Sequence, residues 1–494
     1  MTIVNERPFI LAARLNDHED DCACPDKAFV LSFDNQSMEF EQDCACPDQA
    51  FTLAYSARDA TAFVQTPGVH IAELPHGFHL ALSPFAPAGP SVLSHLAWER
   101  WQSFILPKNI SEDIDFALVD QMLIQPVGTT PQLKAQQAES LTAWIHVTNA
   151  CDLDCPYCYV QKSSARMTEA VASQTLHKIF ESATRHGFRR VKLKYAGGEA
   201  TLHFRLIQYM HEMASYLATQ TNLDLREVVL SNGLHFSPRE ADWLVANKVK
   251  VMISIDGIGD LHDRLRRRKN GQGAFSQVEN VIDKVLLPRG IRPDITMTIT
   301  GLNARGAADV AHWALIERDL AISFNLYRQN LLTISRRELL FEEQTIIEGL
   351  KAAYAVIESQ LPARPFLNGL LDRVQGEAHS YTCGVGQTYV VVSHTGEIAQ
   401  CQMQINQSTK TTSSDDFIPL ITVGAIQNLS VHQKHGCRDC EFRYRCSGGC
   451  PLETYRATGR WDVQSPNCRI YKTLLPDALR LEGLRLLKVN GYVS

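Results

Sequence analysis

Cys151-Asp152-Leu153-Asp154-Cys155-Pro156-Tyr157-Cys158 is the stretch from which the rest of the chain is read. Three thiols at spacing C-x3-C-x2-C follow directly on Ala143-Trp144-Ile145-His146-Val147-Thr148, a run that predicts a buried strand. Closed zinc and iron–sulfur sites usually take four ligands, and the next cysteine along the chain is Cys383. A cubane held by three thiolates keeps one iron open, and an open iron can bind a substrate. The alternatives are a zinc knuckle completed from afar and three buried thiols. The strand-then-loop setting and Tyr157 before the third cysteine speak against both.

The 494 residues are enough for two to four domains with a large core. A hydrophobic content of 45% with 21% charged residues describes an ordinary soluble globular chain. The formal net charge of −6 gives no nucleic-acid surface. No apolar run has the length to cross a bilayer, and the start lacks the basic and apolar regions of a signal peptide. Fourteen cysteines without an export signal point to metal or redox chemistry in the cytoplasm rather than to a disulfide framework.

The octet resembles the cluster loop of radical S-adenosylmethionine (SAM) enzymes, C-x3-C-x-aromatic-C. The resemblance implies that Cys151, Cys155 and Cys158 hold a 4Fe–4S cluster whose open iron chelates SAM. One electron from the cluster then cleaves the C–S bond and releases a 5′-deoxyadenosyl radical. A flavodoxin- or ferredoxin-type donor is the implied source of that electron.

Around the octet, strands and helices alternate from Leu141 to about Asn330, the pattern of a parallel sheet. Strands are predicted at Arg190–Tyr195, Arg226–Leu230, Lys250–Ile255, Asp294–Thr300 and Leu320–Leu326. Helices are predicted at Thr168–His186, along the stripe Leu206, Met210, Met213 and Leu217, and after Ser237-Pro238-Arg239-Glu240. That quartet has a Ser cap, Pro at the first helical position and Glu three residues after the cap. Six βα units suit the α/β fold of the radical SAM family, an open partial (β/α)6 barrel whose chemistry sits at the C-terminal strand ends. Gly197-Gly198-Glu199, closing the second strand, resembles the family motif that contacts the SAM amino group; glycines let the backbone approach and a carboxylate accepts from an ammonium. Ser254-Ile255-Asp256-Gly257 with Arg266 is similar to the fourth-strand motif. By that resemblance Ser254 and Arg266 help hold the SAM carboxylate or ribose, and Asp256 is structural. Ser231, at the end of the third strand, is a candidate wall of the same pocket. Arg267 and Arg268 read as a solvated charge run.

A second cysteine group lies towards the C-terminus: Cys383, Cys401, Cys437-x2-Cys440-x5-Cys446-x3-Cys450 and Cys468. Its order resembles the SPASM domain, which carries two auxiliary 4Fe–4S clusters in many enzymes that modify ribosomally made peptides and proteins. That pattern implies one cluster on Cys437, Cys440, Cys446 and Cys468. It implies a second on Cys383, Cys401 and Cys450, whose fourth place is left open or filled by a group such as His379 or a carboxylate. Gln402 stands where sulfatase-maturing members carry a basic Asp. A neutral amide cannot take the substrate proton there, so formylglycine formation is disfavoured.

Residues 61–135 hold two strands around Pro75-His76-Gly77 and helices near Ser94–Ile105 and Ile114–Leu123, with Trp98, Trp101 and Ile105 spaced as one face. This segment looks like a winged-helix element that takes a leader peptide as an added strand. Before it, residues 1–60 contain a repeat: Cys22-Ala23-Cys24-Pro25-Asp26 returns as Cys44-Ala45-Cys46-Pro47-Asp48, each copy followed by alternating apolar residues that predict a strand. Four thiols could form a closed zinc site, the segment could be a tethered substrate-like peptide, or the thiols could be inert. The expected order is therefore repeat, leader domain, barrel (141–340), bridging helices (341–379) and auxiliary-cluster domain (380–494). The expected activity is a C–C or C–S crosslink in a precursor peptide with a leader. Epimerisation, formylglycine formation and an iron–sulfur electron carrier are the alternatives.

Overall fold

A computed structural model describes residues 8–12, 31–33, 36–38, 51–53, 62–86, 89–129, 131, 133–135, 138–410 and 416–493. Cys22, Cys24, Cys44 and Cys46 lie outside the described residues.

An eight-stranded sheet organises the molecule. Its strands are β1 (Ser140–Thr148), β2 (Arg190–Gly197), β3 (Asp224–Ser231), β4 (Lys250–Ser254), β5 (Asp294–Ile299), β6 (Ile322–Leu326), β7 (Tyr389–Val392) and β8 (Ile398–Ala399). Neighbours run in the order β6-β5-β4-β3-β2-β1-β7-β8. Every pairing from β6 to β7 is parallel, and β8 alone returns antiparallel. The six expected strands are present. The last two extend the sheet past β1 with residues from the C-terminal region, beyond the reach of a βαβ count.

Each crossover helix forms where its apolar stripe and caps direct it. α1 (Glu169–Arg185) is capped by Thr168, which accepts from the Val171 amide, and buries Leu176, Ile179 and Phe180. α2 (Phe204–Thr221) buries Leu206, Met210 and Leu217, and ends at Asn222 in the left-handed region. α3 (Pro238–Ala246) has the reciprocal Ser237–Glu240 capping box. α4 (Glu343–Ser359) covers the barrel beyond β6 and packs along α5 (Cys468–Val489), the last helix.

Residues 62–129 build the expected hairpin, His70–Glu73 and His79–Leu82 around a turn at Pro75–Gly77, followed by helices His95–Gln102 and Asp113–Asp120. Ile10–Ala12 adds to this sheet as an edge strand against Ser91–Leu93. Trp101 is buried, but Ile105 is 71% exposed, because the helix tightens into a 3₁₀ turn at Ser103–Ile105 and swings it off the stripe. The sheet is not a free appendage. Gly483 of α5 packs on Leu74, Leu80 and Val92 so closely that a Cβ there would fall 2.8 Å from Leu80 and 3.1 Å from Leu74. Arg445, 1% exposed, donates to the Ser83 carbonyl (2.7 Å) and to Gly376. Among the described residues no helix is long and apolar enough to cross a membrane.

Candidate active site

The cluster loop leaves β1 at Thr148 and is held from three sides. Thr148 Oγ1 donates to the Ala165 carbonyl (3.0 Å) and accepts from the Ala150 amide (3.0 Å). Across the barrel mouth, the Asp154 amide donates to the Arg267 carbonyl (2.9 Å) and the Lys269 amide to the Asp152 carbonyl (2.9 Å). The Asp152 carboxylate takes Asn232 Nδ2 (2.9 Å) and pairs with His235 Nε2 (2.8 Å), both just beyond β3. Lys162 Nζ donates to the Leu153 carbonyl (2.5 Å). The Arg267 side chain is exposed, as expected, whereas Arg268 is half-buried and donates to Gln277. The backbone of Arg267 and Lys269, on either side of Arg268, is bound to the loop, a role that a charge run does not announce.

The barrel mouth opens on a cavity of about 370 Å³, within the range of small-molecule sites. Cys151, Cys155, Cys158, Gly197, Gly198 and Glu199 line it, together with Ser231, Ser254 and Arg266. All nine residues expected to hold the cluster and SAM therefore line this one cavity. Burial pushes the Cys151 thiol up to about 12 and the Cys155 thiol up to about 11, so binding iron must drive off these protons. Among the described residues no three Cys, His, Asp or Glu side chains converge as a single metal ion requires. A cubane makes no such demand, since each thiolate meets its own iron, and this donor set fits a cluster better than zinc.

Glu199 is fully buried, and burial pushes its carboxyl up. Its Oε1 accepts from Thr201 Oγ1 (2.7 Å), the Thr201 amide (3.1 Å) and Ser231 Oγ (2.8 Å), and its Oε2 from the Asn232 amide (2.7 Å). Oε2 retains a lone pair for an ammonium. Ser231 thus acts on the pocket through Glu199. The two glycines also let the loop after β1 come close: a Cβ on Gly197 would fall 2.5 Å from the Thr148 carbonyl, and one on Gly198 2.3 Å from that of Ala150. Asp256 is a buried hub, accepting from the Tyr157 hydroxyl, from Arg266 Nε and from the Thr298 amide (2.7 Å). Arg266 also lies over the Tyr157 ring, 5.6 Å from its centroid.

Cys401 and Cys450 share the same cavity on its far side, with Gln402 between Tyr389 and the opening. Cys437, Cys440, Cys446 and Cys468 line a separate small cavity. His379 is buried, with its backbone bound to Tyr444 and Ser447, and does not line the cavity that Cys401 and Cys450 share. Sequence reasoning missed Lys162, Arg328, Asp372 and Arg373, the last three of which form a charged wall beside Cys450. Their signal was faint: Asp372-Arg373 interrupts the otherwise apolar Leu370-Leu371 and Val374.

Residues 145–314 match the model of the radical SAM superfamily. The matched segment runs from β1 through the barrel to the helices before β6. The chain is 33% identical over 195 residues to the sporulation killing factor maturation protein SkfB of Bacillus subtilis, covering 39% of this chain and 44% of SkfB. It is 24% identical over 336 residues to the antilisterial bacteriocin subtilosin biosynthesis protein AlbA of the same organism, covering 63% of this chain and 67% of AlbA. The solved structure of native anSMEcpe with bound AdoMet and Cp18Cys peptide superposes with a TM-score of 0.55 at 19% identity, covering 70% of this chain and 99% of that one. That likeness concerns the fold.

Proposed function

We propose that this chain is a radical SAM/SPASM peptide maturase that cleaves SAM reductively and installs a C–C or C–S crosslink in a ribosomally made precursor peptide. The observation that carries the reading is the single cavity on which the thiol trio, Gly197 to Glu199, Ser254, Arg266, Cys401 and Cys450 all open. The names of SkfB and AlbA, a maturation protein and a bacteriocin biosynthesis protein, support a peptide substrate.

With the 4Fe–4S cluster and SAM bound, the site would supply a 5′-deoxyadenosyl radical. Cys151, Cys155 and Cys158 hold the iron, Glu199 Oε2 receives the SAM ammonium, and Ser254 and Arg266 face its carboxylate or ribose. The Asp256–Arg266–Tyr157 contacts keep the guanidinium oriented when the pocket is empty. Cys437, Cys440, Cys446 and Cys468 would hold one auxiliary cluster, and Cys383, Cys401 and Cys450 the other, which would supply an acceptor for the surplus electron. The sheet of residues 62–129 grips the leader, and a flavodoxin- or ferredoxin-type protein donates electrons.

Anaerobic incubation of iron-loaded protein with dithionite, SAM and a precursor peptide tests this. The expected result is 5′-deoxyadenosine and a peptide lighter by two hydrogens. A peptide mass unchanged in ordinary water but raised by one deuterium, located at Cα, in heavy water would indicate epimerisation. No 5′-deoxyadenosine at all would leave an electron carrier and sink the reading.

A further inference from the structure

We propose that Arg373 binds a carboxylate of the peptide inside the barrel-mouth cavity and so selects acidic substrates. The inference deepens the peptide reading given above and rests on it.

The cavity is cationic although the chain as a whole carries a formal net charge of −6. Its lining includes five cations, Lys162, Lys194, Arg266, Arg328 and Arg373, against two carboxylates, Glu199 and Asp372. A cleft lined by one sign of charge concentrates ligands of the other. SAM, with an ammonium and a sulfonium against one carboxylate, does not answer that imbalance.

The other cations of the lining are committed or deep. Arg266 Nε donates to Asp256, and its guanidinium lies over the Tyr157 ring. Lys162 Nζ donates to the Leu153 carbonyl (2.5 Å). Arg328 Nη2 donates to Asp372 Oδ2 (2.5 Å) and its Nη1 to the Leu326 carbonyl (3.0 Å). Lys194, on β2, is 1% exposed. Arg373 differs. Among the described residues none accepts a hydrogen bond from it: its Nε is buried without a partner, and Asp372 Oδ1 lies 3.7 Å away, beyond bonding distance.

The backbone delivers this side chain to the barrel mouth. The short helix Leu367–Leu370 sits against β6, where a Cβ on Gly369 would fall 2.1 Å from the Ile322 carbonyl. From there the chain follows β6 from its first residue to Asp372, which Arg328 holds just beyond the last. Arg373 comes next, with φ of +59°, a region that crowds L-residues and suits glycine. A strained position that carries a long cation, 17% exposed on a cavity wall, points to a ligand rather than to packing. A guanidinium meets a carboxylate through two parallel N–H bonds, the strongest match that its fork makes. The SAM carboxylate already faces Arg266. An acidic side chain or the C-terminal carboxylate of the peptide presents the same group to Arg373.

The test is the binding of three short peptides to iron-loaded protein with saturating SAM, followed by ligand-observed NMR. One has blocked termini and a central glutamate, one has blocked termini and a central glutamine, and one is an alanine peptide with a free C-terminal carboxylate. The parent should bind a carboxylate peptide about tenfold more tightly than the glutamine peptide, and the carboxylate peptide that it prefers names the source. Arg373→Gln should abolish the preference, whereas Arg205→Gln, which removes an exposed cation of α2, should leave it intact. Equal binding of all three peptides by the parent overturns the inference, as does a preference that survives R373Q. Weaker SAM binding in R373Q overturns it too, because the guanidinium would then belong to SAM. A measurement on the parent alone covers the case of a variant that does not fold: phenylglyoxal should modify Arg373, mapped by mass spectrometry, and the preferred peptide should block the modification. No modification there, or one that the peptide leaves unchanged, overturns the inference. Binding of none of the peptides does the same. The peptide reading stands or falls separately, on 5′-deoxyadenosine and the mass of the product.

Discussion

Glu199 ties three segments together with one carboxylate: its own turn through Thr201, the end of β3 through Ser231, and the following loop through Asn232. Glu199→Gln sets an amide nitrogen against one of these donors. The expected cost is roughly 1–3 kcal/mol of stability, with SAM affinity weakened about tenfold or more by loss of the charge-assisted bond; thermal unfolding and equilibrium dialysis measure the two. Cys155→Ala is expected to abolish 5′-deoxyadenosine formation while leaving the auxiliary iron in place. Retained SAM cleavage with that iron intact would count against the cluster assignment.

Among the elements, α3 and α2 offer two tests that do not touch the chemistry. Ser237→Ala removes the reciprocal cap of α3 and should cost about 1 kcal/mol by chemical denaturation. On α2, His211 Nδ1 sits 2.6 Å from Glu227 Oε2 of β3, and this bond holds the imidazole above its ordinary value of 6.5. The folded state binds that proton more tightly than the unfolded chain. Its contribution is complete below pH 6.5 and fades as pH rises through the raised value. His211→Gln should therefore flatten the fall in stability as pH rises above 6.5, read from unfolding midpoints at a series of pH values.

The cap of α3 could be read letter by letter because Ser, Pro and Glu act on their nearest backbone groups. The strands β1 to β6 could be read because their apolar residues recur within each short window, in β4 and β6 at every second, buried position. The same locality hid other features. β7 and β8 join an edge whose partner, β1, lies more than two hundred residues earlier in the chain. The charged wall of Arg328, Asp372 and Arg373 is gathered from two distant segments, so no single window contains it. Gly197 and Gly198 were legible as a close approach, but not what approaches, because the carbonyls of Thr148 and Ala150 reach them from the neighbouring strand.

For the whole molecule, the N-terminal sheet and the C-terminal region form one packed body. Removing residues 61–127 to test leader binding would strip Leu74, Leu80 and Val92 from Gly483 and leave Arg445 without its Ser83 acceptor. A point substitution is the better probe. Arg445→Met keeps the bulk but leaves buried carbonyls at Ser83 and Gly376 unpaired. It should cost on the order of 3 kcal/mol and make residues 62–129 more sensitive to protease.

Cys468 opens α5, and Gly483, fifteen residues on, presses into the sheet from which Leu74 and Leu80 project. At 1.5 Å per residue the helix is a beam about 33 Å long. Iron at one end and a peptide strand at the other would brace the same beam. Whatever free energy the peptide gains from a beam already stiffened by metal, the metal gains from a beam already stiffened by peptide, because such coupling is reciprocal. A precursor that protects this chain from chelators would be the outward sign that grip and metallation share one mechanical element.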